Sequence, residues 1–195
     1  MSGSLGSDSE PIRCSWAGSE PAMRDYHDTV WGVPQRDNRT LFEFLTLEGA
    51  QAGLSWRTIL LRKDGYREVF DDFDVERIAG YTDADVARCL GDSRIIRNRA
   101  KVESTIGNAR AWLELDDPVA YLWSFVDGTP IDYRRDDANP VPASNEISDR
   151  MSKQMKKFGF RFVGTTICYA YMQACGLVND HHVSCFRHAD CARLG

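Results

Sequence analysis

The chain has 195 residues, 43% of them hydrophobic and 27% charged, with a formal net charge of −5. That length builds one sizeable core or two small lobes, and the acidic balance argues against coating nucleic acid through bulk charge, though a local basic patch stays open. The six cysteines, Cys14, Cys89, Cys168, Cys175, Cys185 and Cys191, read as thiols or metal ligands in a reducing compartment, and no apolar run approaches the roughly 18 residues of a membrane-spanning helix.

The N-terminal MSGSLGSDSE is rich in Ser and Gly and has no basic region followed by an apolar core. Residues 1–11 are therefore expected to be a disordered tail rather than an export signal, and the cytoplasm is the expected location. Residues 12–195 are expected to form a single globular domain in which helical signals dominate. At 40–51, TLFE reads as a capping box with Thr40 at the N-cap and Glu43 at the third helical position. Gly53 is expected to end that helix and Ser55 to cap the next, WRTILLRKDGYREVF, with a break at Asp64-Gly65. TDAD at 82–85 caps a helix to about Leu90, GDS makes a tight turn, and Ile95 to Leu115 reads as one long amphipathic helix. PVAYLWSFV, at 118–126, reads as a short buried helix, and 127–145, rich in Asp, Pro and Asn, as a long loop of the kind that often carries function. Ser148 opens a basic helix, DRMSKQMKKF, stopped by Gly159, and Thr165 or Thr166 opens ICYAYMQAC, stopped by Gly176. No period-2 pattern and no internal repeat stand out, so the class is all-α.

Three groups of residues carry chemistry. The first is Cys14 in RCSW, His27 in YHD, and His181, His182 and Cys185 in VNDHHVSC. One helical turn would put His181 and Cys185, four apart, on one face. Two Cys and two His complete a tetrahedral set for structural zinc, but His188 and Cys191 are rival ligands and spacing does not choose among them. The second is LGDSRIIRNRAKVESTIGNARAW, 90–112, where Arg94, Arg97, Arg99 and Lys101 surround a turn between two helices. Backbone N–H groups at a helix start favour an anion and basic side chains add charge, which suits a DNA backbone held without reading sequence; the alternative is a solvated basic helix face. The third is Trp16, Tyr26, Trp31, Glu48 and Trp56. Aromatic faces stack on bases. Glu48 is the lone carboxylate among the small residues of LEGAQAGLSW, where it is costly unless something partners it. An ordinary Trp-rich core is the alternative.

Taken in order from about Arg13 to Cys185, the stretches RCSW, YHD, WGVP, LFEFLTLEGAQAGLSW, IIRNRAK, IGNARA, LWSFV and GFRFVGTTICYAYMQACGLVNDH resemble the 3-methyladenine DNA glycosylase I family. The resemblance implies a helix-hairpin-helix glycosylase fold of two helical lobes, with the hairpin at about 82–112. It implies one structural Zn2+ held by Cys14, His27, His181 and Cys185, tying the N- and C-terminal segments together. The implied activity is excision of 3-methyladenine from alkylated double-stranded DNA by hydrolysis of the N-glycosidic bond, leaving an abasic site. Glu48 then recognises the base and is catalytic only in a loose sense, Tyr26, Trp56, Trp16 and Trp31 line the base pocket, and Arg94, Arg97, Arg99 and Lys101 meet the DNA backbone. No lysine matches a lyase nucleophile, so no strand cleavage is expected, and a monomer with no membrane partner is. A module that binds alkylated bases without cutting is the alternative. Three departures stand out: Met23 replaces a tyrosine of some relatives, Val30 an acidic residue of some relatives, with no function attached to it, and Arg94 a glycine of the best-known members. Arginine would be strained there if the turn needs positive φ.

Overall fold

A computed structural model describes residues 10–195; of the tail expected over 1–11, residues 1–9 lie outside the described residues. The chain is built from helices: α1 (Pro21–Thr29), α2 (Asn38–Gln51), α3 (Trp56–Leu60), α4 (Lys63–Val69), α5 (Val75–Ala79), α6 (Asp83–Gly91), α7 (Arg99–Leu113), α8 (Pro118–Trp123), α9 (Glu146–Lys157), α10 (Thr165–Ala174) and α11 (Phe186–Ala192). No helix among the described residues is long and apolar enough to cross a membrane.

The central element is α2. Every residue from Leu41 to Ala50 is buried, as befits a helix enclosed on all sides, and it packs against α3, α7, α8 and α10. Its N-cap is Asp37, not Thr40: the Asp37 side chain accepts from the Thr40 N–H at 2.8 Å and from the Thr40 hydroxyl at 2.7 Å. The carboxylate thus starts the helix three residues early, and Glu43 instead accepts a bidentate pair from Arg67 at 2.9 and 3.1 Å. Ser55 caps α3 through the Thr58 N–H, as expected.

The break expected at Asp64-Gly65 falls at Leu61-Arg62, and Gly65 lies inside α4. Gly65 serves close approach. A Cβ there would sit 2.6 Å from the Arg94 Cβ and 2.8 Å from the Arg94 carbonyl oxygen, neither of which can swing away. Gly65→Ala is therefore expected to destabilise the protein by about 1–3 kcal/mol through overpacking, read as a lower urea midpoint at unchanged slope; an unchanged midpoint would mean that the turn yields freely.

That turn joins α6 to α7. Thr82 and Asp85 form the capping box of α6, while α7 begins at Arg99 under an Asn98 cap and not at Ile95. Residues 92–98 are therefore turn. Ile95 is buried beneath it, Asp92 accepts the Arg94 N–H at 2.9 Å, and the Ile96 N–H donates to the Tyr66 hydroxyl. Arg94 is absent from the residues with positive φ, so arginine stands there without backbone strain.

The 127–145 loop contributes to a short parallel pair of strands. Ile131–Asp132 (β1) pairs in parallel with Val178–Asn179 (β2), and Arg135 bridges to His182. Asn145 and Ser148 then cap α9 reciprocally, so the helix starts at Glu146 rather than at Ser148. Gly159 and Gly176 take positive φ just after α9 and α10, the ends expected of them.

Candidate active site and metal centre

Cys14 precedes a short 3-10 turn, His27 sits on α1, and His181 and Cys185 follow β2. The His181–Cys185 stretch is a turn and not a helix, and Cys185 becomes the N-cap of α11. All four side chains are buried, with their ligand atoms within 4.8 Å of one another. Cys185 Sγ lies 3.4 Å from His27 Nε2 and 3.6 Å from His181 Nδ1, and Cys14 Sγ lies 3.6 Å from His181 Nδ1. Bond lengths of about 2.3 Å to sulfur and about 2.1 Å to nitrogen give a tetrahedral S···N edge of about 3.6 Å, so the set fits a metal ion.

The outer nitrogens are committed as a ligand histidine requires. His27 Nδ1 lies 2.7 Å from Asp28 Oδ1, and Asp28 is itself held by Arg13 at 2.8 and 2.9 Å. His181 Nε2 lies 3.0 Å from the Trp31 carbonyl. A Cβ on Gly32, which has positive φ, would come within 2.9 Å of that same nitrogen. Both sulfurs approach His181 Nδ1 at 3.6 Å, and a divalent cation held there would keep both as thiolates. The rivals are used elsewhere: His188 bonds Asp132 at 3.0 Å, His182 bonds Ser184 at 2.7 Å, and Cys191 contacts Arg187.

The rings of the metal site continue into an aromatic cavity. Trp31 meets His181 edge-on at 4.6 Å, Trp16 meets Trp31 at 4.9 Å, and Tyr26 meets Trp56 at 5.2 Å between centroids. The cavity, about 320 Å³, is lined by Trp16, Met23, Tyr26, Trp31, Glu48, Gln51, Trp56, Val141, Ala170 and Gln173. All five residues of the third sequence group line it. Met23, Gln51, Val141, Ala170 and Gln173 line it as well. Val141 comes from the 127–145 loop. Gln173 donates to Asp180 at 2.8 Å, part of a buried network in which Arg135 bonds Asp180 at 2.6 Å and the Tyr169 hydroxyl at 2.8 Å. The only sequence hint of Val141 was the length of the loop, and Gln173 sits on the α10 helix without a signal of its own.

Glu48 is 4% exposed. Among the described residues no group bonds to its carboxyl, to the Gln51 amide or to the Tyr26 hydroxyl, and the Trp56 indole N–H is buried without a partner. Burial pushes the Glu48 carboxyl up from 4.5 to about 8, and raises the Tyr26 hydroxyl as well, with help from Glu48. Native interiors rarely leave a buried N–H such as that of Trp56 without a partner. The arrangement suits a flat ligand with both donors and acceptors.

At the turn after α6, the four basic residues differ. Arg94 pairs with Asp92 at 2.6 Å and with Glu68, and Arg99 pairs with Glu103 at 3.3 Å. Lys101 turns inward and donates to the Ala50 and Ala52 carbonyls at 2.7 and 2.8 Å. Arg97 is exposed, with no ion pair among the described residues.

Comparison with known proteins gives a single picture. The family model described as methyladenine glycosylase matches residues 16–188. DNA-3-methyladenine glycosylase 1 of Escherichia coli strain K12 is 48% identical over 177 residues, 89% of this chain and 95% of that protein. The crystal structure of a 3-methyladenine DNA glycosylase I superposes with a TM-score of 0.87 at 49% identity, covering 90% of this chain and 98% of that one. A variant of a 3-methyladenine DNA glycosylase I, in complex with 3-methyladenine, superposes at 0.86 with 33% identity over 89% of this chain and 96% of that one.

Proposed function

The chain belongs to the methyladenine glycosylase family, and from that membership we propose that it excises 3-methyladenine from alkylated duplex DNA. It is a base-excision-repair glycosylase that hydrolyses the N-glycosidic bond and leaves an abasic site. The observation that carries this reading is the buried, unpartnered Glu48 carboxyl facing an aromatic cavity.

A base in duplex DNA must leave the stack to reach such a cavity, at a cost of a few kcal/mol that is smallest for a damaged base. Trp56 and Tyr26 offer faces on which it stacks. Methylation at N3 makes the ring cationic in DNA, and a cation beside Glu48 favours its carboxylate. Breaking the glycosidic bond releases the base neutral, so the leaving group is already activated. Water attacks an oxocarbenium-like sugar. Glu48 then faces a neutral ring, and in so dry a setting its carboxyl takes up a proton near neutral pH. The protonated acid donates to N7 and accepts from the exocyclic amine. No lysine lines the cavity among the described residues, which fits a glycosylase that does not cleave the strand.

The four-ligand site suits zinc, with Cys14, His27, His181 and Cys185 leaving no open position for water. The ion supplies a cross-link between the two ends of the chain, not a step in the reaction. We read α6, the turn at 92–98 and α7 as a helix-hairpin-helix. Arg97 in the turn and Arg99 at the start of α7, with Arg94 beside them, suit phosphates.

The test is chromatography of the free bases released from methylated duplex DNA by the metal-loaded protein. Release of 3-methyladenine is expected, without 7-methylguanine. No release by the folded protein would leave a module that binds alkylated bases without cutting.

A further inference from the structure

Lys101 stands on the first turn of α7, among the arginines, yet its ammonium points away from them. It donates to the carbonyls of Ala50 and Ala52, the last turn of α2 and its C-cap. We propose that Lys101 is a positioning residue: it latches the hairpin to the end of the Glu48 helix and to the turn that leads to Trp56. The inference rests on the glycosylase reading above for its catalytic readout.

Three observations support it. First, among the described residues no side chain but that of Lys101 bonds residues 50–54 from outside the segment; the remaining bonds there are local, such as Ala52 N–H to Gly49 and Leu54 N–H to Gln51. Helix C-terminal carbonyls are orphan acceptors at the negative end of the dipole, where a cation fits. Second, the contact between α2 and α7 at this end is partly polar. Thr46, Ser104, Thr105 and Asn108 share the lining of a small cavity of about 10 Å³ with Lys101 and apolar residues such as Leu45 and Val102, and the Thr46 hydroxyl is buried without a partner. That is room for one water, so the lysine is the direct hydrogen-bonded tie to the end of α2. Third, the Lys101 carbonyl accepts from the Ser104 and Thr105 hydroxyls at 2.7 and 3.1 Å, which fixes the backbone from which the side chain reaches. Burial lowers the Lys101 pKa, as a side chain withdrawn from water requires.

A shift of the hairpin on meeting DNA would therefore pull on Ala50 and Ala52, two and four positions beyond Glu48. The same turn reaches the cavity through Gln51 and Trp56. A phosphate ligand and a latch predict different data.

The experiment measures single-turnover release of 3-methyladenine at saturating methylated duplex DNA, and DNA affinity against salt. The proteins are wild type, Lys101→Met, Lys101→Arg and Arg97→Ala. The latch predicts release about 10²-fold slower in Lys101→Met, the effect of misplacing groups by about 1 Å. It predicts partial recovery in Lys101→Arg and a salt slope equal to wild type for both. Arg97→Ala should lower the slope by about one. Wild-type release by Lys101→Met overturns the proposal. So does a slope lower by about one with an unchanged saturated rate, which would make Lys101 a phosphate ligand. Should Lys101→Met not fold, side-chain NMR of 15N-lysine in the wild-type protein decides. A slowly exchanging Lys101 signal unmoved by DNA supports the latch, and one that shifts with DNA overturns it. A wild type that releases no base defeats the glycosylase reading instead, and the salt slopes and the NMR signal still judge where the ammonium is bound.

Discussion

Glu48→Ala releases 3-methyladenine from methylated duplex DNA about 10²–10³-fold more slowly than wild type, the range for removing one preorganised polar group from a dry site. It does so without melting lower at pH 9. Both effects have one cause. The Glu48 carboxyl is buried with no partner, and burial raises it from 4.5 to about 8. The folded protein thus keeps a proton that the unfolded chain gives up above pH 4.5. The stability tied to that proton is whole below about pH 4.5 and is lost as pH rises through about 8. Wild type should therefore melt progressively lower between pH 5 and 9, while Glu48→Gln, which cannot ionise, holds level. Calorimetry across that range, together with base release at each pH, checks both halves. A Glu48→Ala protein that cuts at the wild-type rate, or parallel melting profiles for wild type and Glu48→Gln, would remove Glu48 from the site.

Stripping the metal centre is the second large effect. Chelation under mild denaturant, or Cys185→Ser, should cost about 4–5 kcal/mol, as loss of a structural metal does. For a chain of this size each kcal/mol moves the melting temperature by about 2–4 °C, so a fall of roughly 8–20 °C is expected. His182→Ala, which alters a neighbouring imidazole bonded to Ser184, should keep the bound zinc and the melting temperature. Elemental analysis and calorimetry read both. A chelated protein that melts with the untreated one would count against the four ligands, and a His182→Ala protein that loses zinc would count against this choice among them.

What could be read from the chain before folding was mostly short-range. Ser55, Thr82, Gly159 and Gly176 act within a turn of their own position, and each does what its local pattern implied. Asp37 was missed because two capping side chains stood three residues apart, and the earlier carboxylate accepts from the later residue. Gly65 looked like a break, but its reason lies 29 positions away at Arg94. Lys101 looked like one more phosphate contact, since charge is visible in a sequence and the direction of a side chain is not. The same limit explains His181 and Cys185, which meet through a turn, and Val141, which reaches the cavity from a loop with no periodic signal. The helices α1, α5 and α11 went unread as well. α1 and α11 lack a side-chain cap, and α5 is a five-residue helix with little room for a period. The choice of the four proposed zinc ligands and the roles proposed for the pocket residues came from family resemblance. The residues alone left the four ligands undecided and the aromatic set no better than a core.

The proposed zinc site would also impose an order on biosynthesis. His27 and Cys185 are 158 positions apart, so one half of the ligand set leaves the ribosome long before the other exists. At about 5–20 residues per second the nascent chain waits roughly 8–30 s with Cys14 and His27 unmatched. Through that interval the N-terminal thiol is open to stray metals and oxidants. If the proposed site takes zinc, its closure would be among the last events in the maturation of each molecule, and a cell short of zinc would accumulate chains whose middle has folded before the ligands from the two segments are joined.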